Sequence, residues 1–341
     1  MDEQTNEKRI GFFERFGWII AAACGLLSIL FLLGTVVTLK QKFPLMDADG
    51  YEKVITNIHL WDYFKFQYQY DWTMMVNLGL LLCGIVCISC LKLKKGFGSA
   101  ASMLFMLSVP MLALSREFFA ANEIEYMSSV SFGWGCNCSV AFAICGAVLS
   151  LSCEFSNNQI VTRQIAEDGI LIASAFILNI IKIPLAAGAG SVNFQMLPLF
   201  VIALRHGPAH GLACGGIIYG LVTCLTDGYG FATYPFDYLI GFGGVMVLGF
   251  FSKFILGEGQ TWYNVKGEIF LFVGALIATF IRFVGSTASS MIIYQYSFAA
   301  AVAYNAIYIP VSGLIAIAVL MAAYGPLIKI HNRFPIRKGI N

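Results

Sequence analysis

A chain of 341 residues that is 58% hydrophobic and only 12% charged carries too few polar side chains to fold as a soluble globule. Its net charge of +2 is spread over short loops and not gathered in one basic patch, which argues against a nucleic-acid partner. No nucleophile lies in sequence reach of a base, and neither HExxH nor a Gly-x-x-x-x-Gly-Lys loop occurs, so the sequence offers no catalytic residues and no ATPase signature of its own.

Charge-free stretches at 16–39, 72–91, 97–115, 126–153, 183–204 and 206–226 are mostly long enough to cross about 30 Å of hydrocarbon as helices. Further spans are read at 169–187, 235–252, 267–295 and 298–325, and Lys182, Asp237 and Arg282 fall inside them. The 183–204 stretch holds the end of one helix, an irregular link through Pro184 and Gly188, and a short second helix. The predicted fold class is therefore an all-α polytopic membrane protein with ten transmembrane helices. Four belong to residues 1–158 and six to 159–341, with the polar stretch 154–168 dividing them.

The first apolar run has the basic flank of a signal peptide in Lys8, Arg9 and Arg15, but it is too long and meets Lys40 where a cleavage site would need small residues. It is expected to stay as a helix. Most of the 21 Lys and Arg fall on one side, which puts both termini in the cytoplasm of a plasma-membrane protein. The segment 41–71 is then an external loop, and its Trp61-Asp62-Tyr63-Phe64-Lys65-Phe66 and Tyr68-Gln69-Tyr70 read as an interfacial aromatic belt, with His59 solvated beside them. Glu117, Glu123 and Glu125 mark another solvated outer loop.

Ten cysteines lie mostly inside apolar runs, where they act as small hydrophobes. Cys136 and Cys138 sit near an outer helix end, but no second ligand pair accompanies them, and His206 and His210, one turn apart beside Arg205, read as boundary residues; no metal or cofactor is assigned. Gly207, Gly211 and Gly215 recur every four residues, as do Gly216 and Gly220, a spacing that lets helix backbones approach closely in lipid. Gly169 and Ala173 repeat it near a cytoplasmic helix end.

A charge at bilayer depth is costly and marks a functional site by default. Asp237 follows Pro235, which suits the first turn of a helix and sets the carboxylate near the outer mouth of the bundle. Arg282 has the reach to pair with it, in which case the charges are structural; an unpaired Asp237 instead offers an acceptor to an amine or amidine-like group. Tyr229, Tyr234, Tyr238, Tyr294, Tyr296 and Tyr304, with Asn193, Ser286 and Asn305, occupy helix ends expected on the same side, the composition of a pocket for a flat heteroaromatic ligand.

Leu197-Pro198-Leu199 leads to Ala203-Leu204-Arg205-His206-Gly207, and a glycine-rich helix closes with Tyr219-Gly220-Leu221. Phe236-Asp237-Tyr238-Leu239, Arg282-Phe283, Ala301-Val302-Ala303-Tyr304 and Val311-Ser312-Gly313 follow. In order and spacing this series resembles the substrate-binding S components of energy-coupling factor (ECF) vitamin transporters, most closely the thiamine-specific branch, over about residues 163–330. The resemblance implies a six-helix receptor in the lipid bilayer whose ligand is thiamine or an analogue, with a pocket at the outer face. Its partners would be a coupling transmembrane subunit and two cytosolic ATPase subunits. It also implies that Asp237 hydrogen-bonds the ligand's pyrimidine ring, that Tyr238 and Tyr304 flank it, and that Gly169 and Ala173 dock on the coupling subunit. The chain departs from the branch in carrying Ser286 for histidine, Ile309 for asparagine and Tyr294 for tryptophan. Asn305 lies one turn from Ile309 and is a candidate to supply the missing amide. The first four helices have no counterpart in that pattern. Two rival functions are a membrane sensor or accessory protein with a vestigial receptor unit, and a stand-alone ion-coupled vitamin transporter using Lys182, Asp237 and Arg282.

Overall fold

The computed structural model describes residues 12–44, 51–64, 72–91, 96–122, 127–157, 162–184, 190–257 and 264–334. Lys8, Arg9, Lys65, Phe66, Tyr68, Gln69, Tyr70, Glu123, Glu125 and Gly188, named above, lie outside them. The chain divides into two compact units, Met1–Gln159 and Ile160–Asn341.

In the first unit, α1 (Phe12–Phe31) packs on α4 (Trp134–Asn157), and α3 (Phe97–Asn122) packs on both α4 and α2 (Trp72–Ser89). The ring of Phe105, fully buried, fills the space left by three glycines: a Cβ on Gly25, Gly84 or Gly146 would stand 2.9, 2.7 or 3.3 Å from it. Lipid tails are as apolar as the ring, so close fit rather than water exclusion holds these helices together. The membrane-spanning reading of 16–39 needs correction here. The helix ends at Phe31, and Thr35–Pro44 becomes strand β1, hydrogen-bonded between β2 (Tyr51–His59) and β3 (Met127–Phe132) in an antiparallel sheet. The run Thr35-Val36-Val37-Thr38 is β-branched throughout, which favours the pleated conformation once the chain has turned at Gly34. Val36, Val37, Leu39 and Ile58 form its buried side. The division falls within the polar stretch 154–168, whose described residues, 154–157 and 162–168, are helical. Glu154 is buried in α4 and accepts hydrogen bonds from the Gly96 and Gly98 N–H groups at 2.8 and 3.1 Å, satisfying the start of α3.

The second unit begins with α5 (Thr162–Ile180), a short hairpin of β4 (Ile183–Pro184) and β5 (Ser191–Val192), and α6 (Met196–His206). Lys182 thus lies beyond the end of α5, exposed, and not inside a helix as the sequence suggested. There follow α7 (Pro208–Asp227), α8 (Phe231–Phe250), α9 (Ser252–Ile255), α10 (Val265–Ile292), α11 (Phe298–Ala322) and α12 (Tyr324–Arg333). Among the described residues five helices are long and apolar enough to cross a membrane: 134–156 of α4, and α7, α8, α10 and α11. The chain is a mostly helical, multi-pass membrane protein to which two small sheets are added.

Within this unit α7 and α8 touch backbone to backbone. A Cβ on Gly215 would stand 2.6 Å from the Phe242 carbonyl oxygen, and one on Gly216 would stand 2.9 Å from that of Leu239. The four-residue glycine spacing is thus used for packing inside the chain. Parts of both helices are wound as π-helix, over Gly211–Tyr219 and Tyr234–Ile240. Replacing Gly215 with Leu is expected to destabilise the protein by about 1–3 kcal/mol, the cost of overpacking a filled interior, with the loss read as a lower midpoint of thermal unfolding in detergent.

Candidate functional site: a polar cavity walled by tyrosines

A cavity of about 330 Å³ opens among five helices and the hairpin of the second unit, within the size range of small-molecule sites. The end of α5 and the hairpin contribute Asn179, Lys182, Ser191, Asn193 and Gln195; α7 contributes Asp227; and α8 contributes Asp237, Tyr238 and Phe242. The end of α10 adds Arg282, Ser286 and Ser290, the following link adds Tyr294 and Tyr296, and the start of α11 adds Tyr304, Asn305 and Tyr308.

Local sequence sets these ends. Gly228 takes a left-handed conformation (φ 76°) that stops α7 directly after Asp227, and Pro235 stands in the first turn of the π-helical opening of α8, two residues before Asp237. Between α10 and α11 the chain turns through Gln295 at φ 55°, a conformation few side chains adopt, and this places Tyr294 and Tyr296 on either side of the turn. The Ser297 hydroxyl then accepts from the Ala300 N–H to start α11. From there rings run in sequence. Tyr294 meets Tyr296 at 6.3 Å, Tyr296 meets Tyr304 edge-on at 6.3 Å, and Tyr304 meets Tyr308 edge-on at 5.8 Å.

The charges are arranged so that the acid stays available. Arg282 is buried, and its guanidinium lies over the Phe242 ring at 4.7 Å from the centroid. Among the described residues no ion pair joins Asp237 to Arg282 or Lys182. The Asp237 carboxylate instead shares the cavity wall with Ser286. A second carboxylate, Asp227, accepts a hydrogen bond from the Tyr238 hydroxyl at 3.2 Å. Asn193 is anchored through its backbone N–H to Ser312 Oγ (3.3 Å) and through Nδ2 to Asn179 Oδ1 (3.5 Å), while its Oδ1 is buried with no hydrogen-bond partner. A buried acceptor left open on the wall of a cavity is the state a ligand donor would relieve.

Asn193, Asp237, Tyr238, Arg282, Ser286, Tyr294, Tyr304 and Asn305 are therefore brought together, as is Tyr229 at the mouth, whereas Tyr234 does not line the cavity. Its hydroxyl donates to the Gly216 carbonyl at 3.2 Å and its ring stacks on Phe231. Asn305 is fully engaged: Nδ2 donates to Ser290 Oγ and to the Ala301 carbonyl, both at 2.9 Å, and Oδ1 accepts from the Tyr308 hydroxyl at 3.0 Å. Ile309 is buried, one helical turn further on. Gly169 and Ala173 are exposed on α5, and nothing stands within 4 Å of where a Gly169 Cβ would be. Sequence reasoning missed Asp227, Gln195 and Tyr308; only Tyr308 carried a signal, standing one helical turn after Tyr304.

Residues 165–332 match the family model of the thiamine transporter protein (Thia_YuaJ). The match takes in all of the elements that build the cavity and none of α1–α4. The protein named thiamine transporter ThiT of Bacillus subtilis (strain 168) is 28% identical over 174 residues, which make up 46% of this chain and 88% of that relative.

Replacing Asn305 with Leu is expected to leave the half-buried Tyr308 hydroxyl without its acceptor, at a cost of about 1–3 kcal/mol. A lower unfolding midpoint together with a changed tyrosine fluorescence would be the readout.

Proposed function

We propose that this chain is the membrane-embedded binding subunit through which a cell takes up thiamine or a related small heteroaromatic vitamin or precursor. The observation that carries the reading is the Asp237 carboxylate, facing a cavity with its cationic neighbour Arg282 engaged by an aromatic ring instead. Thiamine pairs an aminopyrimidine with a cationic thiazolium. An aminopyrimidine donates hydrogen bonds to a carboxylate, and a cationic ring is attracted to tyrosine faces such as those of Tyr238, Tyr294 and Tyr304. Asn193 and Ser286 supply further polar contacts, and Arg282 sets the depth of the site. The family match and the relative's printed name support the substrate class.

In this reading the cavity opens outward, both termini are cytoplasmic, and the chain crosses the membrane ten times, with a six-helix receptor in its C-terminal half. The energy comes from ATP hydrolysis in partner subunits of an energy-coupling factor complex: a coupling transmembrane subunit and two cytosolic ATPases. Gly169 and Ala173 form the docking point, where their small side chains leave the α5 surface open to a second helix. No part of the chain acts as an enzyme.

Calorimetric titration of the purified protein with thiamine tests the anchor. Asp237→Asn is expected to weaken binding by about 1.5–3 kcal/mol, the scale of a hydrogen bond to a charged group, and unchanged affinity would remove Asp237 from that role. The docking face has a separate readout. Ala173→Leu is expected to abolish co-purification of the ATPase subunits while thiamine affinity stays at the parental value.

A further inference from the structure

The second unit holds another convergent set of polar side chains, away from the tyrosine cavity. Gly207 (φ 93°) breaks the chain between α6 and α7, and the break turns His206 and His210 toward each other, ring centroids 5.3 Å apart. Both reach one carboxylate on a different helix: Asp168 Oδ1 is 2.5 Å from His206 Nδ1, and Oδ2 is 2.5 Å from His210 Nδ1. One nitrogen from each ring and a carboxylate oxygen all lie within 4.8 Å of one another. The three side chains are nearly closed to solvent, at 9%, 0% and 10% exposure for Asp168, His206 and His210. We propose that Asp168, His206 and His210 form a binding site for a divalent transition metal, zinc being the best fit.

A neutral His206 held by hydrogen bonds alone leaves its polarity unsatisfied. In a neutral imidazole, an Nδ1 that donates to Asp168 leaves Nε2 as a bare acceptor. For His206 that Nε2 is buried, makes no hydrogen bond, and lies 3.5 Å from the Glu167 carboxylate, so two acceptors would face each other. A metal on Nδ1 puts the proton on Nε2, which then points an N–H at Glu167, the carboxylate–histidine–metal arrangement common around bound zinc. Glu167 is itself held by an ion pair to Arg205. Two neutral imidazoles and one carboxylate are a donor set that zinc takes up. Metal–ligand bonds of about 2.0–2.2 Å separate tetrahedral ligands by about 3.3–3.6 Å, so the imidazole nitrogens and carboxylate oxygens need to spread by roughly 1 Å. Two imidazoles select zinc over magnesium or calcium. Bound there, the ion would tie α5 to the α6–α7 corner.

The test uses the tag-free full-length protein, purified in detergent and dialysed without chelator. Elemental analysis is expected to find stoichiometric zinc, and exchange for cobalt(II) is expected to give the visible spectrum of a low-coordinate N/O site. His210→Ala should weaken metal binding by more than about a hundredfold, beyond what loss of an outer-shell partner costs. Circular dichroism checks that each variant remains folded. A folded wild-type protein that holds no metal and shows no saturable zinc uptake would overturn the proposal and assign the cluster to a protonated histidine pair. Zinc retained undiminished by folded His210→Ala would overturn it as well. None of these outcomes depends on whether thiamine binds.

Discussion

Arg282 over the face of Phe242 is the contact on which the rest of the cavity depends. A guanidinium cannot lose its charge to escape burial, so inside an apolar helix bundle it must be matched by a carboxylate or by π electrons. Had the match been Asp237, the two would have neutralised each other and closed the space between α8 and α10. The aromatic partner leaves two carboxylates on the wall: Asp227, which receives the Tyr238 hydroxyl, and Asp237, which shares the wall with Ser286. Among the described residues no ion pair closes on Asp237, so a cationic ligand can approach it without first breaking one.

Phe242 reaches that position because α7 and α8 touch at their backbones. The carbonyls of Leu239 and Phe242 press on Gly216 and Gly215, and the second unit's core of Leu199, Phe200, Tyr219, Val245 and Leu271 closes around the contact. The Tyr219 hydroxyl donates to Gln195 at 2.6 Å, linking this interior to the start of α6, where Gln195 lines another side of the cavity. Glycine packing, ring stacking and polar lining therefore form one arrangement and not three separate features.

Much of this was legible in the sequence because charge is so rare in it. Asp237 and Arg282 stood out against apolar neighbours, and the glycine spacing announced a close helix contact. What remained hidden has physical reasons. A run such as Thr35-Val36-Val37 is apolar whether it continues a helix or begins a strand, so periodicity could not locate the change at Gly34. Asp227, directly before a helix-stopping glycine, looked like any loop acid. Tyr234 and Tyr238 both belong to the outer helix ends expected on one side, but the segment that carries them is π-helical, and of the two Tyr238 lines the cavity. Asp168 is 38 and 42 residues from the two histidines it meets, a convergence that only the fold brings about.

The π-helical opening of α8 also bears on how the cavity wall can vary. A π-turn holds one residue more than an α-turn, so excising a single residue from Tyr234–Ile240 restores regular winding and turns the side chains on one side of the cut by about 100° about the axis relative to those on the other. A change of chain length at the start of α8 therefore redirects several side chains at once, which point substitution of the wall does not do.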